Sequence, residues 1–197
     1  EDVPVSSPPT PAQASALGSA PAKAGLILTV LILGATVANI NTSISNVALP
    51  SIASALNATD TELTGITDAY QLGIAATVLY LGAVGDRYGR KGMLLLGALL
   101  CVPFSLASAW SPNAVFLIVA QIAVGVAGGM LYPTTLSMIT ALWRGKKLTG
   151  AIALWTGLGT GASVLGPIMG GYLLDNYWWG SVFLITVPFA LLVLVMG

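Results

Sequence analysis

Gly82-Ala83-Val84-Gly85-Asp86-Arg87-Tyr88-Gly89-Arg90-Lys91 places one acid, three bases and three glycines between two long apolar stretches. A polar joint this short between apolar segments reads as two membrane helices running in opposite directions. Gly89 permits a turn with positive φ, and Gly82 lets a neighbouring helix come close. Asp86 at the membrane edge is placed to pair with Arg90 or to accept from the amides at another helix's N-terminus. Working outward, the remaining cations are Lys23 before the first apolar stretch and Arg144, Lys146 and Lys147 between the fourth and fifth. All seven Lys and Arg residues therefore fall in alternate connections, while the intervening ones hold Asp60, Glu62 and Asp175. The positive-inside bias makes the basic joints cytoplasmic and the acidic ones external.

Composition agrees with a bilayer as solvent. Charged residues make up 7% of the chain and hydrophobic ones 56%, whereas about a quarter of a soluble domain is charged. Neither basic cluster carries the interleaved aromatics of a nucleic-acid surface, so no nucleic-acid partner is expected. There is no histidine and a single cysteine, Cys101, in an apolar run. No disulfide, metal set, cofactor site or catalytic triad assembles from these residues, which argues against an enzyme, and any proton chemistry falls to carboxylates.

Spanning the hydrocarbon core takes about 20 mostly apolar residues. Six stretches qualify: 24–48, 62–84, 92–110, 114–140, 147–171 and 179–197. Pro50, the Asn57 to Asp60 run, Ser111-Pro112-Asn113, Arg144-Gly145-Lys146 and Asp175-Asn176 supply turn chemistry at the joints. Trp110, Trp143, Trp178 and Trp179 fall at span ends, where indoles favour the interface. Residues 1–22, rich in Pro, Ala and Ser, read as a disordered cytoplasmic tail. The fold class is an all-α membrane protein, a six-helix transmembrane bundle with both ends cytoplasmic. An apolar helix that reaches Gly197 without a polar tail suggests one half of a larger two-part transporter.

The opening motif resembles the loop signature of the major facilitator superfamily, G-x-L-a-D-r-x-G-r-k, with Gly82, Asp86, Arg87, Gly89, Arg90 and Lys91 in register. In that family the loop is a cytoplasmic gate that latches against the other half of the molecule; the alternative is a plain positive-inside turn. Gly166-Pro167-Ile168-Met169-Gly170-Gly171 is similar to the G-P-x-x-G-G motif of the family's drug/proton antiporters. Its alternative is helix packing, since Gly150, Ala153, Gly157 and Gly161 form a small-residue ridge on the same span. Asn41-Thr42-Ser43-Ile44-Ser45-Asn46-Val47-Ala48-Leu49-Pro50 resembles the L-D-x-T-x-x-N-V-A-L-P pattern of the fourteen-span drug-efflux branch, with Asn41 at the acid's position. Span 4 similarly holds Gln121 where the family's R-x-x-Q-G has arginine. Trp179-Gly180-Ser181-Val182-Phe183-Leu184-Ile185-Thr186-Val187-Pro188 resembles the opening of the family's sixth span.

Two neutral amides in place of an acid and a base leave a polar site that cannot cycle a proton. Asp68, about 9 Å down span 2 from Glu62 at 1.5 Å per residue, is then the candidate proton or cation site, or a wetted residue at the external mouth. Asn39, Asn41, Ser43 and Asn46, with Gln71, Gln121 and Tyr132, outline half of a substrate cavity; interhelical hydrogen bonding is the alternative reading. Tyr70 and Trp155 are candidate aromatic wall. The resemblance implies a secondary transporter of the cell membrane, the N-terminal half, exporting small amphipathic compounds or drugs by alternating access. Its partners would be the lipid bilayer, a small-molecule substrate, protons and a C-terminal half. An uncoupled uniporter or uptake carrier, and a non-transporting scaffold or sensor, are the other readings.

Overall fold

The computed structural model describes residues 23–197, so the tail expected over residues 1–22 lies outside them. Helices account for nearly all of these residues: α1 (Ala24–Leu56), α2 (Asp60–Tyr88), α3 (Arg90–Ala109), α4 (Ala114–Leu142), α5 (Gly145–Asn176), a 3-10 segment (Trp179–Ile185) and α6 (Thr186–Met196). Five are long and apolar enough to cross a membrane: α1, α3, α4, α5 and the run Trp179–Met196. With 29 residues α2 has the length, but Asp68, Tyr70, Gln71 and Thr77 lower its apolarity.

The helices overrun the expected boundaries. Pro50 does not end α1, which runs through it to Leu56 and stops at Asn57, in the left-handed region at φ 50°. A proline removes one helical hydrogen bond, yet Ala48 and Ile52 on either side of it are buried in one cluster and hold the helix on course. The start of α2 is a capping box: Glu62 N–H donates to Thr59 Oγ1, and Thr59 N–H donates to Glu62 Oε2 at 2.8 Å. At its other end the signature is helical as far as Tyr88, so the joint to α3 is Gly89 alone, at φ 121°.

Contact order along the helices fixes their directions. Gly65 lies beside Ile118, Gly73 beside Gly125, Gly82 beside Pro133 and Asp86 on Ser137. Both numbers rise together, so α2 and α4 run parallel. The same holds for α1 and α5, where Ala35 meets Gly159, Ser43 meets Ser163 and Val47 meets Gly170. α3 and α6 run oppositely, with Ser105 beside Thr186 and Leu95 near Gly197. Ile27, Lys91, Leu142 and Met196 line one cavity of about 290 Å³. This arrangement gathers the joints that carry Lys23, Arg87–Lys91 and Arg144–Lys147 at one end of the bundle.

The core forms two tiers. Leu31, Leu94, Leu131, Trp143 and Trp155 fill the basic end. Ile44, Ile52, Ile66, Leu117 and Phe183 fill the other. Trp143 is therefore a core residue at 5% exposure, not the interfacial indole expected, while Trp110 and Trp178 are exposed and stack at 5.8 Å. The ridge on α5 is corrected too: a Cβ on Gly150, Gly157 or Gly161 would meet nothing within 4 Å. α5 instead packs on α1 through Gly159, Ala162, Gly166 and Gly170, the buried small residues of its other face.

Candidate functional site

At the basic end, Arg90 Nε donates to Asp86 Oδ1 at 2.7 Å, four residues away across the Gly89 joint. Ser137 Oγ on α4 donates to the same oxygen at 2.9 Å, and Arg90 Nη1 donates to the Ser137 carbonyl at 2.9 Å. Three helices are thus tied in a closed ring. Asp86 lies beyond the predicted end of span 2, and its carboxyl is held below the usual carboxylate range, first by the Ser137 hydroxyl and then by Arg90. Arg87 lies over the Tyr88 ring at 5.5 Å. Lys91 is exposed. Gly82 turns out not to be a close-approach glycine, because its Cβ would sit 3.7 Å from Pro133 in ordinary contact. Gly85 is the tighter position, 3.3 Å from Met93. Sequence reading missed Ser137, since a lone serine near a span end carries no distinguishing pattern.

Toward the other end, Thr42, Ser45 and Asn46 on α1 and Thr67, Asp68, Tyr70 and Gln71 on α2 line a polar pocket of about 170 Å³. Asp68, Gln71 and Asn46 are exposed there, and no hydrogen bond or ion pair with the described residues engages Asp68. Tyr70 is buried, and its hydroxyl donates to the Ala38 carbonyl at 2.9 Å, pinning α2 to α1. Asn46 donates to Thr42 O within its own helix at 2.9 Å.

Behind that pocket lies a buried amide cluster. Gln121 Nε2 donates to Ser45 Oγ at 3.1 Å, and Ser45 in turn donates to the Asn41 carbonyl at 2.9 Å. Asn41 and Gln121 are 2% and 0% exposed. Neither side-chain atom of Asn41 finds a partner, nor does Gln121 Oε1. Of the two positions where the family pattern wants opposite charges, only Gln121 bonds Ser45 by its side chain; Ser45 meets the main-chain carbonyl of Asn41, whose amide has no partner among the described residues. Asn39 turns the other way, donating to Ala35 O at 3.0 Å near Gly159 of α5. Ser43 also faces α5, donating to Ser163 O at 2.8 Å.

The expected single cavity is therefore divided. Tyr132 shares a face of α4 with Gln121, but eleven residues separate them, about 16 Å along the axis. It packs instead on Trp155 at 5.2 Å, and Trp155 Nε1 donates to Thr135 Oγ1 at 3.1 Å. Gly125, one turn on from Gln121, presses on the α2 backbone at Tyr70 and Gly73. The α5 motif divides in the same manner. A Cβ on Gly166 would crowd Ser43 at 2.7 Å and one on Gly170 would touch Val47 at 3.7 Å, whereas Gly171 is open; Pro167 lies within the continuous helix.

Residues 9–197 match the family described as Major Facilitator Superfamily. Over 178 residues the chain is 39% identical to the multidrug efflux pump LfrA of Mycolicibacterium smegmatis, covering 90% of this chain and 35% of that protein. It is 38% identical over 170 residues to the methyl viologen resistance protein SmvA of Salmonella typhimurium, covering 86% of this chain and 34% of that one. A match of 33% over 157 residues reaches the probable multidrug resistance protein EmrY of Escherichia coli, covering 80% and 31% respectively. The chain thus spans about a third of the length of these relatives. A helical bundle without strands and five apolar membrane-length helices among the described residues, the Asp86 ring at the one-residue joint and these matches lead to one conclusion: the chain belongs to the Major Facilitator Superfamily.

Proposed function

We propose that this chain is the N-terminal six-span bundle of an alternating-access exporter of small amphipathic organic compounds, with its basic end cytoplasmic and a second bundle completing it. α2 serves as span 2 and brings the number to six, with Thr67, Asp68 and Gln71 turned to the pocket. The observation that carries this reading is the polar pocket around Asp68, an exposed carboxylate without an ion-pair partner among the described residues of a membrane bundle. Membrane acids are costly and persist mainly where a function needs them. The names of the relatives, a multidrug efflux pump and a methyl viologen resistance protein, support export as the direction.

In this mechanism Asp68 takes up and releases the coupling proton as the pocket faces alternate sides. Asn46 and Gln71 offer neutral hydrogen bonds to the solute. The cytoplasmic latch at Gly82–Lys91 closes while the pocket faces outward. The α5 motif packs α5 on α1 through Gly166 and Gly170, which keeps this bundle one body as it rocks against the other. The protein acts as a carrier and not as a catalyst.

The neutral side chains of Asn41 and Gln121 support a second reading, an uncoupled carrier, because no proton can be exchanged there. The full-length protein in vesicles loaded with ethidium separates the two. Transport accelerated by an imposed proton gradient supports the exporter; transport indifferent to it supports the uncoupled carrier.

A further inference from the structure

Ser137 Oγ and Arg90 Nε converge on one oxygen, Asp86 Oδ1, while Arg90 Nη1 returns to the Ser137 carbonyl. The Asp86 side chain is nevertheless 54% exposed and that of Arg90 36%. An exposed pair four residues apart is a weak restraint by itself. What the pair gains from Ser137 is a third helix: the hydroxyl and carbonyl of one α4 residue engage both partners at once.

We propose that Ser137 is a positioning residue of the gate, holding Asp86 by Oδ1 together with Arg90 and so leaving Oδ2 as the acceptor offered to the second bundle. This rests on the transporter reading given above. A carboxylate has two oxygens and about four acceptor positions. The internal ring and the external latch therefore coexist, and closing the gate does not require the ring to break. Arg87, Arg90 and Lys91 from one joint and Arg144, Lys146 and Lys147 from the other make this end cationic. Asp86 is an anion at neutral pH in any case, and the ring holds it so to lower pH, ready to accept.

The test uses the full-length protein in vesicles with ethidium as the probe, comparing Ser137→Ala, Ser137→Thr, Asp86→Asn and the double variant Asp86→Asn/Ser137→Ala. The expected result is a several-fold slower rate for Ser137→Ala with its acid limb moved to higher pH. Threonine should restore both, and alanine should add nothing once Asp86 is gone. A wild-type rate and acid limb in Ser137→Ala, a threonine variant as impaired as alanine, or an additive loss in the double variant overturns the proposal. Infrared difference spectra of the same proteins in nanodiscs report Asp86 protonation without any need for transport. There Ser137→Ala should titrate at higher pH than wild type, and coincident titrations overturn the proposal. If the infrared shift appears but the wild-type protein moves no ethidium, the transporter reading falls and the positioning of Asp86 by Ser137 stands.

Discussion

Gly73 and Gly125 meet backbone to backbone where α2 crosses α4, so that a Cβ built on either would stand 3.0 Å from the Cα of the other and collide with a carbonyl oxygen. In lipid such close approach replaces the hydrophobic drive that holds helices together in water. Alanine at either position should cost about 1–3 kcal/mol by overpacking. Gly150→Ala and Gly157→Ala, in open space, serve as controls. Thermal unfolding of the purified protein should show a clear drop for the first pair and none for the second.

Asn41 buries an amide whose two polar atoms find no partner. Leucine, close in volume, removes both unsatisfied atoms, so Asn41→Leu should raise stability by about 1 kcal/mol or more. Asn41→Asp should do the opposite, since a lone membrane charge costs about 2.5–3.5 kcal/mol. Adding Gln121→Arg to that aspartate should recover part of the loss. Thermal unfolding of the four proteins decides it, and an aspartate that melts with wild type would show the site to be wet.

The ring at Asp86 has a defined pH window. Its folded carboxyl lies below the ordinary value of 3.8, so what the ring adds to stability is complete above that value and fades as pH falls through the lowered one. Accessibility of a cysteine placed at Ser137 is no guide, because that change breaks the ring. A cysteine at Lys91, its labelling rate divided by that of a free thiol at the same pH, should instead keep a constant ratio from neutral pH down to about 5 and change only under stronger acid.

Asp68 has no such partner among the described residues, and that contrast predicts its behaviour. Asp68→Asn should fold normally and bind ethidium, yet lose acceleration by a proton gradient. Vesicle transport with and without the gradient checks this; an unchanged gradient-driven rate would exonerate the residue.

Topology is open to direct labelling because the native Cys101 is buried. Cysteines at Arg87 and Arg144 should react with a membrane-impermeant maleimide from the same face, and one at Asp175 from the opposite face. Reaction of the first two from opposite sides would be incompatible with the bundle described.

Much of the fold was legible because lipid imposes one strong rule: long apolar segments separated by short charged joints. The positions of Arg87, Arg90, Arg144 and Lys146 already implied the shared basic end. Boundaries were less legible, since Pro50 breaks helices in isolation but is carried here by buried Ala48 and Ile52. The site was partly legible. Asn46, Asp68 and Gln71 do share a pocket, whereas Tyr132 was grouped with Gln121 by helical phase, which records the face of a helix but not the depth along it. Ser43 and Asn39 read as cavity lining in the sequence but face α5, because the polar residues of α1 wind past two different neighbours. Ser137 had no signal of its own; only the arrival of α4 beside the Gly89 joint gives it a role.

That joint is one residue long. With Gly89 alone between them, and Asp86 bound to Arg90 across it, α2 and α3 have no slack to absorb a displacement. The Asp86–Arg90–Ser137 ring ties both of them to α4 at this end. A single alanine inserted after Gly89 should therefore decouple these helices without altering any of their sequences, leaving the bundle assembled but its moving end out of step.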